Sequence, residues 1–65
     1  MAIQLKAARV NANLTQEDVA KHFGVSKNTI INYEKYTSKP SIERAKELAE
    51  LYGMSVDDIK WSLED

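Results

Sequence analysis

The side chains best equipped for chemistry fall between positions 26 and 35, in the run Ser-Lys-Asn-Thr-Ile-Ile-Asn-Tyr-Glu-Lys. Wound at about 3.6 residues per turn, this segment sets Lys27, Asn28, Ile31, Asn32 and Lys35 on one side and Ser26, Thr29, Ile30 and Tyr33 on the other. A solvated helix face is normally rich in Glu and Lys, but the first side has no acid, one isoleucine and two asparagines, which are poor helix formers. Helix stability did not select such a face. Its chemistry is that of base edges in a DNA major groove: lysine donates to guanine O6 and N7, asparagine pairs bidentately with adenine, and isoleucine meets a thymine methyl. Lys27, Asn28, Ile31 and Asn32 are therefore the expected base contacts, and double-stranded DNA the expected partner. Gln16, Thr29, Lys35, Tyr36 and Lys39 are the expected phosphate contacts, Gln16 acting beside backbone N–H groups at a helix start.

Those side chains need a scaffold, and the rest of the chain reads as helical. Proline and glycine are almost absent from the periodic segments, and apolar residues recur at three- and four-residue spacing, so no strand pattern competes. The spacing predicts helices at about 2–11, 16–23, 27–35, 42–52 and 56–63 within one 65-residue domain. The first carries Leu5, Ala8 and Ala12 inward and stops at Asn13; the second opens on a Thr15/Asp18 capping box, buries Val19, Ala20 and Phe23, and stops at Gly24. Ser26 caps the third, and Pro40 closes the loop after it. Ser41 caps the fourth, whose inward stripe is Ile42, Ala45, Leu48, Ala49 and Tyr52. Gly53 ends that helix, and Ser55 with Asp58 predicts a second capping box for a last helix carrying Val56, Ile59 and Leu63. The second and third helices, joined through a short turn at Gly24, form a helix-turn-helix. Glu17 and Asp18, Glu43, and Asp57 and Asp58 occupy first turns elsewhere, whereas the third helix begins with Lys27, against the helix dipole and open to a polyanion.

Composition sets the outer bounds. The chain has no cysteine, and its single histidine, His22, has no second metal-ligand partner, so compactness must come from apolar packing without a disulfide or metal site. There is no phosphate loop, no nucleophile with a base at recognisable spacing, and too little chain to enclose a pocket; no enzyme, cofactor or small-molecule substrate is expected. Nothing approaches the roughly 20 apolar residues of a membrane span, which predicts a soluble cytoplasmic protein without a membrane partner. The net charge of −1 argues mildly against nucleic acid, but its distribution does not. Lys21, Lys27, Lys35 and Lys39 face Glu34 alone between positions 21 and 40, while seven acids crowd positions 41–65.

Within LTQEDVAKHFGVSKNTIINYE, the pattern Gln16, Ala20, Gly24, Val25, Ile30 and Tyr33, followed by Glu34 and Pro40, resembles the Cro and repressor type of helix-turn-helix domain, the Xre family of phages and bacteria. The resemblance covers about residues 3–60. It implies an all-α, five-helix lambda-repressor-like fold with the third helix in the major groove, contacts from Gln16, Lys27, Asn28 and Asn32, and dimeric binding to a short palindromic operator by a transcriptional regulator in the bacterial nucleoid. It also implies a structural ion pair between Arg9 and Glu34, holding the third helix to the first. The departure is the loop Lys35-Tyr36-Thr37-Ser38-Lys39: Tyr36 stands where the family often has glycine, and two phosphate-binding cations are missing.

Other conspicuous residues read more plainly. Phe23, Tyr33 and Tyr52 sit on inward stripes and are scaffold, His22 is a surface residue, and Glu43, Glu47 and Glu50 make a solvated face. Trp61 lies opposite the apolar stripe of the last helix and leaves two alternatives: the helix ends near Lys60 and folds Trp61 back, or Trp61 marks the patch of a weak homodimer. The rival to DNA is a protein partner on the same third-helix face, as in an antitoxin-like or anti-repressor module, which the acidic pI favours slightly.

Overall fold

A computed structural model describes residues 2–63. In chain order these form β1 (Ile3–Gln4), α1 (Leu5–Asn11), α2 (Gln16–Phe23), α3 (Lys27–Lys35), α4 (Ile42–Leu51), a single 3-10 turn (Val56–Asp58) and β2 (Ile59–Lys60). Four helices are thus present among the described residues, and the last two elements replace the fifth helix expected from sequence. β2 pairs in parallel with β1, Ile3 opposite Ile59 and Gln4 opposite Lys60, so a short clasp joins the two ends of the described chain. The first helix accordingly begins at Leu5, because Ile3 and Gln4 are taken by this pairing.

Local chemistry accounts for the helix boundaries. The Thr15 hydroxyl accepts from the Asp18 N–H at 3.0 Å while the Asp18 carboxylate accepts from the Thr15 N–H at 2.9 Å, giving α2 a complete capping box. Ser26 and Ser41 accept from Thr29 and Arg44 N–H groups at the starts of α3 and α4. Ser55, by contrast, accepts from Asp57 rather than pairing with Asp58, so the second capping box does not form and only one tight turn follows. At the far ends, Gly24 (φ 68°) stops α2 with Val25 N–H returning to the Ala20 carbonyl at 3.0 Å. Asn13 (φ 60°) supplies the left-handed residue between α1 and α2.

The core gathers around Leu5, Val19, Ile30 and Leu48, each no more than 2% exposed, with Ala8, Ala20, Ala49, Tyr52 and Ile59 completing it. Every helix contributes, and Ile59 enters from β2 rather than from a helix face. Two side chains expected inside are outside: Ile42 is 78% exposed at the start of α4 and Leu63 is 73% exposed beyond the clasp. Trp61 folds back against the core, its indole N–H donating to the Val56 carbonyl at 2.9 Å. Among the described residues no helix is long and apolar enough to cross a membrane.

Candidate nucleic-acid interface

The site is built on α2 and α3, which are packed against each other across the Gly24 turn. Val19 and Ala20 of α2 and Ile30 of α3 are buried, which fixes the rotation of α3 about its own axis. The opposite side of α3 must then face solvent. Lys27, Asn28, Asn32 and Lys35 are exposed and Ile31 is half-buried, so one surface carries all five. Lys39 is exposed in the following loop, and Thr29 is half-buried with its hydroxyl 3.1 Å from that of Ser26.

The absence of acid in a helix's first turn is not peculiar to α3, since α1 also has none there. What sets α3 apart is the fate of its one acid. Glu34, the sole carboxylate between positions 21 and 40, turns inward and is 5% exposed at its side chain. Arg9 Nε lies 2.6 Å from Glu34 Oε2, and Arg9 Nη2 is 3.3 Å from Oε1, a two-pronged pair that fixes geometry as well as charge. Arg9 Nη1 donates to the Leu14 carbonyl at 2.7 Å, and the Gln16 amide donates to Glu34 Oε1 at 3.0 Å. The buried carboxylate is therefore fully partnered and adds nothing negative to the outer face. Tyr52 lies under the same cluster; burial first, and the Glu34 charge second, push its hydroxyl up to about 12.

Gln16 and Tyr36 sit differently from the simple phosphate contacts expected of them. Gln16 is half-buried and spends one amide N–H on Glu34, keeping its second N–H free of that bond. Tyr36 has its hydroxyl engaged within the fold. Its hydroxyl accepts from the Leu5 N–H at 3.1 Å and lies 3.0 Å from both Gln4 Oε1 and the Lys60 carbonyl, while its ring packs on the core. The loop after α3 passes beside the clasp, where the hydroxyl reaches the Leu5 N–H, the Gln4 side chain and the Lys60 carbonyl. Sequence patterning gave no sign of it, because the partners lie 31 residues earlier and 24 residues later in the chain.

Among the described residues no group of histidine, cysteine or carboxylate side chains could hold a metal ion. An apolar depression lies where Pro40, Ile42, Val56 and Trp61 meet, with Lys39, Lys46 and Asp57 at the edge. It has the character of a shallow open groove.

A buried-faced second helix, a tight left-handed turn and a third helix whose exposed face is polar and carries no acid define a helix-turn-helix domain. Comparison with known proteins agrees: a family model described as Helix-turn-helix matches residues 5–59, and the chain belongs to that family, of the Cro and repressor type. An uncharacterised HTH-type transcriptional regulator of Methanocaldococcus jannaschii is 46% identical over 59 residues, covering 91% of this chain and 89% of its own. The cryptic phage CTXphi transcriptional repressor RstR of Vibrio cholerae is 39% identical over 56 residues, 86% of this chain but 50% of its own. An uncharacterised HTH-type transcriptional regulator of Archaeoglobus fulgidus is 36% identical over 59 residues, with 91% and 83% covered. No solved structure gave a significant match.

Proposed function

We propose that this chain is a sequence-specific transcriptional regulator, of repressor type, that reads a short palindromic operator with the outer face of α3. The observation that carries the reading is the surface of Lys27, Asn28, Ile31 and Asn32, from which the one carboxylate of α3 has been withdrawn into a buried ion pair. Lys27 at the helix start reaches guanine, Asn28 and Asn32 reach adenine, and Ile31 meets a thymine methyl. Lys35, Lys39, Thr29 and the remaining N–H of Gln16 hold the flanking phosphates. Relatives bearing the names of transcriptional regulators, one of them a phage repressor, support the same reading.

Two copies act together. The groove of Pro40, Ile42, Val56 and Trp61 is the face between them, because its edge carries Lys39 and Lys46 together with Asp57. An edge with both signs is self-complementary about a twofold axis, and a net charge of −1 leaves little repulsion between copies. The dimer is weak, since the groove is small beside the roughly 1,200 Å² or more of a stable interface.

Selection from random duplexes, repeated at two salt concentrations, tests the reading. One short motif should be enriched and its affinity should fall steeply with salt. Enrichment of no motif, together with capture of a protein ligand by the same α3 face at an affinity insensitive to salt, would establish the rival interaction module instead.

A further inference from the structure

We infer that Tyr36 is a positioning residue for DNA reading: it fixes the end of α3 to the clasp formed by the two chain ends, so clasp integrity and operator affinity are coupled. The inference rests on the DNA reading above and deepens it. Three observations carry it.

Tyr36 occupies φ 62° and ψ 23°, a left-handed conformation that glycine normally fills at a helix end. Its N–H returns to the Tyr33 carbonyl at 3.2 Å and the Thr37 N–H to Asn32 at 3.1 Å, so this one residue closes α3 at the turn that presents Asn32. A bulky residue persists in such a conformation where its surroundings over-determine it. Here they do so through the side chain.

The hydroxyl also serves a helix other than its own. The first N–H groups of any helix lack internal partners, and α1 has no side-chain cap from Gln4. Tyr36 accepts from the Leu5 N–H at 3.1 Å and so caps α1 from across the fold. Its single proton is shared between Gln4 Oε1 and the Lys60 carbonyl, one on each strand of the clasp, both at 3.0 Å.

Finally, the last turn of α3 meets α1 at a second point, where Glu34 pairs with Arg9. One attachment leaves a helix free to swivel; two, from neighbouring residues to opposite ends of α1, fix its direction. The base-reading residues stand on the lever so held.

The test uses Tyr36→Phe, which keeps ring and packing, and Tyr36→Gly, which relieves the left-handed backbone. Binding to the selected duplex is measured across a salt series well below both melting temperatures, alongside hydrogen exchange. For Tyr36→Phe, the Leu5 amide should exchange faster and the Kd for the selected duplex should rise by about three- to tenfold, with less change on random duplexes. The slope of log affinity against log salt should stay as in wild type. Tyr36→Gly should bind no better than Tyr36→Phe despite its easier backbone. In wild type, adding duplex should slow exchange at Leu5, since coupling is reciprocal. Unchanged affinity in Tyr36→Phe would reduce the hydroxyl to fold stability alone, and an equal loss on selected and random duplexes would make it a phosphate contact; either overturns the inference while leaving α3 as the reader. Failure of wild type to bind any duplex would overturn both.

Discussion

Single residues carry two separable kinds of work in this domain. Lys27 and Lys35 lie at opposite ends of the same exposed face, yet base and phosphate contacts leave different signatures. Lys27→Ala should weaken binding to the selected duplex by about 1 to 3 kcal/mol and relax preference at one base pair. Lys35→Ala should weaken all sequences alike and reduce the salt slope by about one. Competition binding against single-position operator variants separates them, and equal losses on every sequence would remove Lys27 from the base contacts. Arg9 belongs to the scaffold. Its side chain is 9% exposed against a Glu34 that is 5% exposed, so Arg9→Ala strands a buried carboxylate at a cost of about 3 to 5 kcal/mol. That is a large part of the stability of so small a domain, and thermal melting should show it; an unchanged melt would mean the pair contributes nothing.

Among the elements, α2 has the most completely specified boundaries, and its capping box gives a dependence on pH. Hydrogen bonds from the Thr15 backbone, then from its hydroxyl, hold the Asp18 carboxyl below the ordinary 3.8. A carboxyl with a lowered pKa in the folded state adds stability that is present above about pH 4 and fades as pH falls through the lowered value. Asp18→Asn should therefore melt lower than wild type at neutral pH, with the gap closing below pH 4; a constant gap would deny the carboxylate its role. The contrast between the two ends of the chain shows which parts of the fold could be read in advance. Thr15/Asp18, Gly24, Ser26 and Ser41 act on neighbours within a few residues, so their types alone fix helix starts and stops. The segment after Gly53 could not be read that way. Val56, Ile59 and Leu63 have helical spacing, but Ile59 is claimed by Ile3 from the other end of the chain, and a pairing across that separation leaves no mark on local periodicity. Likewise the exposed face of α3 and the Arg9–Glu34 pair followed from residue types and family pattern, whereas the inward turn of Tyr36 depends on a tertiary partner, the Leu5 N–H. Ile42 took an inward place on a helical wheel but lies at the first position of α4, beyond the edge of the core.

The whole molecule measures 28 by 23 by 19 Å, while successive major-groove faces on one side of a duplex are about 34 Å apart. One domain cannot meet both; two neighbours in contact can. The Ile42 and Trp61 groove supplies that contact in the proposed dimer, and Ile42→Glu should abolish it without disturbing the fold, because Ile42 is 78% exposed. Sedimentation with a palindromic duplex should then find one chain bound where wild type places two, and undiminished pairing would move the interface elsewhere. Charge is likewise a property of the whole: the acids of the C-terminal part bring the total to −1, yet the α3 side remains basic because Glu34 is buried. The central claim is that this acid-free surface lies against base edges. Titrating labelled protein with the selected duplex at low ionic strength, and following each backbone amide by NMR, tests it most directly. The account predicts the largest shifts within residues 27–35, with the α4 amides beyond Ser41 little changed; amides of 27–35 that stay in place while the duplex is bound, or is not bound at all, would contradict it.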